Sequence, residues 1–194
     1  MSEKTVISVP AGADARVRRT RRLLADALMS LGAEGSVDEL AVGQLVDEAG
    51  ISRSTFYQHF ASKDDFLVRS FVDLLSATDA AYRQRVPDSD DILPSRPLFH
   101  HVASAADFAR SVARSEIWPQ QMAAGELKLR EIAEANLERR MPNWSAEERR
   151  EAAVFIAAGF IGLLRWWVGA GLKQSPERMQ AAFERLSQSV LGAR

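Results

Sequence analysis

The sequence contains no cysteine. Structural disulfides and thiolate metal sites are therefore excluded, while the redox compartment stays undetermined. Histidine is nearly as scarce. Of the three, His100 and His101 are adjacent and cannot face the same way along a helix. With no metal-ligand spacing and no nucleophile motif, the convergent polar groups that an enzyme requires are missing. No catalytic residue, cofactor or metal is expected.

Charge of one sign is also lacking, since 25 basic and 26 acidic residues give a formal net charge of -1. Coating nucleic acid by bulk charge is argued against. The local distribution is more informative. Residues 16–22 include Arg16, Arg18, Arg19, Arg21 and Arg22 without any acid, and residues 49–63 again hold no acid but carry Arg53, His59 and Lys63. The opening residues MSEKTVISVPAGADA have no apolar run of the signal-peptide kind, and residues 1–13 read as a disordered tail. At 194 residues, with 46% hydrophobic and 26% charged, the chain has the composition of one large or two closely packed globular domains.

Strand-like alternation is almost absent, whereas a 3.6-residue period recurs throughout, so the expected class is all-α. Helices are predicted over residues 14–31, ending at Gly32, then 42–49, ending at Gly50, and 53–60 behind a Ser52 N-cap. A long helix opens at Ser62, with Asp65 completing a capping pattern. Residues 86–97, with three prolines and three aspartates, read as a loop. Further helices are placed at 97–114, 118–123, 126–140, 146–172 and 176–191. The domains expected are a helix-turn-helix unit over 14–62 and a second helical unit over 63–194.

On the third helix, successive steps of about 100° put Phe56 and Phe60 on one side, joined by Ile51. Ser54, Thr55, Tyr57 and Gln58 lie on the other, with Arg53 and His59 on its shoulders. That outward arc offers hydroxyl, amide and imidazole groups and no carboxylate, as a helix entering the major groove requires. Arg53 and Gln58 are the candidates to read base edges, each good pair discriminating by about 1–3 kcal/mol. Ser52, Thr55, Tyr57, His59 and Lys63 suit phosphates. The arginine run is either a phosphate-tracking arm or a solvated helix face.

The string LVDEAGISRSTFYQHFASKDDFL resembles the DNA-binding signature of the tetracycline-repressor (TetR) family: an alanine-glycine turn, a Ser-Arg-x-Thr-Phe-Tyr helix, then His-Phe and Ser-Lys. The resemblance implies that Arg53, Ser54, Thr55, Tyr57, Gln58, His59 and Lys63 occupy the family's DNA-contact positions. Two residues depart from its pattern. Ala41 stands where the family commonly has a capping hydroxyl, and Gly43 where a longer side chain often reaches DNA.

From 152 to 164 every residue is apolar or glycine. A transmembrane span is argued against by Arg165, by the run EERRE just before the segment, and by the lack of a second span. An apolar helix in a soluble protein is buried on all sides, one of them in a partner. Ala158 and Gly162 permit close approach of another helix, and Met179, Phe183, Leu186 and Val190 form an apolar seam on the last helix. These six residues are the expected homodimer interface. The stretch GFIGLLRWWVGAGLKQSPERM is similar to the dimerisation segment of one TetR branch.

The resemblance further implies a small-molecule pocket in the second domain. Its candidate residues are Phe99, Phe108, Trp118, Met122, Trp166 and Trp167, with His100 or His101 as polar contacts, although ordinary core packing accounts for the same apolar faces. The expected function is a cytoplasmic, sequence-specific regulator, a repressor released from a near-palindromic double-stranded operator by a small apolar or aromatic effector. The alternative is a regulator of the same fold that answers to a protein partner or to no effector.

Overall fold

A computed structural model of the chain describes residues 11–192. Among the described residues there are nine α-helices and no strand. They are α1 (Ala11–Glu34), α2 (Val42–Glu48), α3 (Arg53–His59), α4 (Lys63–Arg85), α5 (Ser95–Ser104), α6 (Ala106–Ala113), α7 (Trp118–Arg140), α8 (Ala146–Gly169) and α9 (Pro176–Leu191). The all-α expectation is met. Residues 1–10 of the expected tail lie outside the described residues, and residues 11–13 belong to α1.

Several helix boundaries differ from the sequence reading, two of them because a glycine seats an aromatic ring. The first helix runs through Gly32 and does not stop there. That glycine is buried beneath the Phe108 ring, which comes within 2.6 Å of where a Cβ would stand. Likewise α7 is unbroken at Gly125, where the Phe71 ring approaches the missing Cβ to 2.3 Å and brings α4 against α7. The segment read as one helix from 97 starts at Ser95 and divides at Ala105, whose backbone leaves the helical region (φ -113, ψ 37).

Where glycine does end a helix, the geometry is left-handed. Gly50 has φ +64, its N–H donates to Asp47 O at 3.2 Å and the Ile51 N–H to Val46 O at 3.0 Å. This paired closure satisfies the last carbonyls of α2 and turns the chain into α3. Gly171 (φ +80) closes α8 in the same way, with bonds to Val168 O and from Leu172 to Trp167 O.

Two hydrophobic cores result. The first joins Leu24 and Leu28 of α1, Leu45 of α2, Phe56 of α3 and Phe66 of α4, and draws Val112 of α6 into the same cluster. The second gathers Phe99, Leu129, Ile156, Phe160, Trp167 and Phe183. Helix α4 belongs to both, through Phe66 and Leu67 at its start and Leu75 further on. By length and composition α8 could cross a membrane, but half of its apolar window is buried inside the protein. It is the central rod of the second core.

Placing a methyl group at Gly125 must move Phe71. Overpacking costs roughly 1–3 kcal/mol, against up to about 1 kcal/mol gained by removing glycine from a helix interior. Gly125→Ala is expected to lower Tm by a few degrees in thermal unfolding, and an unchanged or higher Tm would contradict the close α4–α7 packing.

Candidate nucleic-acid interface and ligand cavity

The outward face of α3 begins with its cap. Ser52 Oγ accepts from the Thr55 N–H at 3.1 Å and lies 2.9 Å from both Ser54 Oγ and Thr55 Oγ1. Arg53, Ser54, Tyr57 and Gln58 are exposed, Thr55 and His59 half-buried. Tyr57 is 57% exposed on this face. On the opposite side Phe56 and Phe60 are buried, and with Phe66 they form a triad whose ring centroids are 5.0–5.8 Å apart. Tyr57 stands edge-on to Phe56 at 5.3 Å. The aromatic packing thus fixes the rotation of α3 and with it the direction of the acid-free arc.

Helix α2 lacks a capping hydroxyl at Ala41, and Gln44 partly makes this good. Its Oε1 accepts from the Ala41 N–H at 2.9 Å, the returning half of a capping box. A glutamine three residues after the cap position was the sequence signal for it. At Gly43 the missing side chain has a direct structural use, because Arg53 Nη2 lies 2.8 Å from where its Cβ would be. The long cation at this place comes from α3 and rests on the bare backbone of α2.

The arginine run divides. Arg21 is tied down: it pairs with Asp73 of α4 at 3.0 Å and its guanidinium lies 5.9 Å from the Phe60 ring centroid, so it joins α1, α3 and α4. Arg16, Arg18, Arg19 and Arg22 are exposed, Arg22 facing Asp26 at 3.9 Å. Lys63 is also engaged. Its ammonium donates to Val37 O at 3.1 Å and Asp38 O at 2.7 Å, which leaves one of its three protons for any other acceptor.

A cavity of about 230 Å³ lies between the two cores, walled by α1, α4, α5, α6, α7 and α8. Four of the expected ligand residues line it, namely His101, Phe108, Trp118 and Met122. Four do not. Phe99 is fully buried against Phe160 and Trp167, with centroids 4.8 and 5.6 Å away. Trp167 is fully buried too, its indole N–H donating to Gln174 O at 2.9 Å. Trp166, one residue earlier, points the other way and is 54% exposed. His100 is on the surface with Nε2 3.2 Å from Glu177 of α9, and its neighbour His101 takes the cavity position. Burial lowers the His101 pKa below its ordinary value, favouring the neutral ring.

The expected dimer residues also separate. Ala158 and Gly162 are exposed on α8 and Leu186 is 51% exposed on α9, whereas Met179 and Phe183 are buried in the chain's own second core. The side chain of Val190 lies outside the described residues. The last helix uses its seam to dock onto its own chain. Phe155, not singled out in the sequence reading, is 58% exposed and aligns with Ala158, Gly162 and Trp166 along α8.

A glycine-turned helix pair whose second helix has an acid-free outer face, set on a helical body, is the arrangement of a DNA-binding helix-turn-helix regulator. Residues 23–69 match the family described as bacterial regulatory proteins, tetR family, and residues 95–189 match a C-terminal region of transcriptional regulators. The chain belongs to the TetR family of transcriptional regulators, which are not enzymes.

No curated protein matches the chain in sequence. Among solved structures it is similar to the dihydroxyacetone kinase operon activator DhaS (16% identity, 88% of this chain and 94% of that chain, TM-score 0.65). It is also similar to a TetR regulator from Rhodococcus sp. RHA1 (15%, 91% and 97%, TM-score 0.65). A third is FadR from Bacillus subtilis, solved in complex with stearoyl-CoA (14%, 87% and 96%, TM-score 0.58). At such identities the likeness concerns the fold.

Lys63→Met removes two charged hydrogen bonds from the 36–40 turn. A loss of about 1–3 kcal/mol in denaturant unfolding is expected. Unchanged stability would show that these bonds are not held in solution.

Proposed function

We propose that the protein is a repressor that binds a near-palindromic operator as a homodimer, in the cytoplasm where the DNA is, and leaves it when a small apolar or aromatic molecule fills the cavity. The observation that carries the reading is the acid-free face of α3, exposed at Arg53, Tyr57 and Gln58. Arg53 and Gln58 take base edges, Ser52, Ser54, Thr55, Tyr57 and His59 take phosphates or sugars, and Lys63 contributes its remaining proton. The domain division of the reading is a DNA-reading unit over 14–62 and an effector-binding, dimerising unit over 63–194.

Dimerisation is supported by the exposed stripe of Phe155, Ala158, Gly162 and Trp166 on α8, and by the exposed Leu186 of α9. Large apolar side chains separated by small residues suit close helix packing against a second copy. A two-fold axis then spaces two recognition helices by about one DNA turn, roughly 34–36 Å. FadR holds stearoyl-CoA. An acyl-CoA requires cations for its phosphates, and the cavity wall here has no lysine or arginine, which favours a smaller ligand.

Selection of bound DNA from a random pool tests the assignment, with recovery of an inverted repeat as the expected result. On that site Arg53→Ala is expected to lose about 1–3 kcal/mol and base preference together, while Tyr57→Ala weakens all sequences alike. Wild-type affinity in both variants would sink the assignment. For the dimer, Phe155→Arg is expected to give a monomer in sedimentation and to weaken operator binding at least tenfold. A dimer of undiminished stability would place the interface elsewhere.

A further inference from the structure

Helix α6 faces two ways. One side, through Ala105, Phe108, Ala109 and Val112, is cavity wall. The other is bonded to the chain just after α1. Ser111 Oγ donates to Gly35 O at 2.8 Å and accepts from the Val37 N–H at 3.2 Å. The Glu116 N–H, just past α6, reaches Asp38 Oδ1 at 3.3 Å. Phe108 belongs to both sides, because its ring lines the cavity and also fills the space a Cβ on Gly32 would need, 2.6 Å from Cδ2 and 2.7 Å from Cε2.

A ring in that position has no slack toward α1. The partly buried ring is in contact with the α1 backbone on this side, so a push from the cavity that drives it toward α1 is passed on to that helix. Cavity chemistry sets what can push it. Asp26 is the one formally charged side chain on the wall, where lysine and arginine are absent, and Ser70, Gln121 and His101 are its other polar side chains. An anionic ligand would meet no counter-charge there. An apolar cavity of roughly 150 Å³ already admits benzene, so about 230 Å³ accommodates one or two rings or a short alkyl chain.

We infer that a small, uncharged apolar ligand in this cavity acts on the DNA-reading head through Phe108, by pressing its ring against Gly32 and shifting α1 and the 35–38 turn relative to α6. This rests on the effector reading of the same cavity. It adds the transmitting residue, the direction of the push and the exclusion of anions. The arrangement differs from a pocket enclosed in the body alone, since Leu28 and Met29 of α1 themselves form part of the wall.

The test uses the full chain with indole and n-octanol as uncharged probes and octanoate as the anionic one. Thermal shift is expected for indole or octanol and not for octanoate. Equal binding of octanoate and octanol, or no binding of either uncharged probe, would overturn the ligand class. In wild type the bound probe is expected to lower affinity for the selected operator at least tenfold and to speed backbone hydrogen exchange at Val37 and its neighbours. In Phe108→Ala, and in the milder Phe108→Leu that guards against a folding defect, the probe binds more weakly because the wall loses a ring, and at probe concentrations that saturate each variant the ratio of operator affinities with and without probe falls to within about twofold. The exchange response is lost with it.

Variants that bind probe and still release DNA by the wild-type factor would overturn the role of Phe108. The exchange arm needs no DNA. If wild type fails on every operator yet shows the probe-dependent exchange that the Phe108 variants lose, the operator assignment is at fault and the transmission stands. If wild type binds probe without any change in exchange, the transmission itself is refuted.

Discussion

The structure depends on α4 being one uninterrupted rod shared by two cores. Its first turn is fixed by Ser62, whose Oγ accepts from the Asp65 N–H at 3.1 Å, and by Asp65 reaching back to the Ala61 N–H at 2.9 Å. Phe66 and Leu67 are then packed with the recognition helix, and Leu75 with the body. Twenty-three residues at about 1.5 Å each make a lever of roughly 34 Å. The direction of α3 is set by rings stacked on the near end of this lever, and the cavity is set by Phe71 in its middle. Any shift of the head relative to the body therefore involves this shared rod, even though their cores are separate.

Much of this was legible in the sequence because it is local. Helix periodicity, the Ser52 and Ser62 caps, and the turn at Gly50 all follow from neighbours within four residues, and the structure shows each of them. The inward set of Phe56 and Phe60 was legible for the same reason. What escaped was non-local. Gly32 and Gly125 read as helix punctuation, but each is a seat for a ring more than fifty residues away. No window along the chain contains that information.

The same distinction explains the ligand and dimer residues. Trp166 and Trp167 look alike in sequence, yet one turn of about 100° puts the first on the surface and the second at the centre of a core. Met179 and Phe183 formed an apolar seam assigned to a second copy of the chain, and in the structure they pack into their own chain's second core. Periodicity identifies which residues share a face. Only the assembled fold says what that face meets.

The Arg53 guanidinium resting on Gly43 carries a consequence for how the reading surface can change. Positions 43 and 53 belong to different helices, yet they share one volume, because the cation lies where a side chain of α2 would otherwise be. A longer residue at 43 would displace the flexible tip of the arginine, and a shorter one at 53 would leave the backbone of α2 bare. The two positions form a single exchangeable letter, written by whichever helix supplies the side chain.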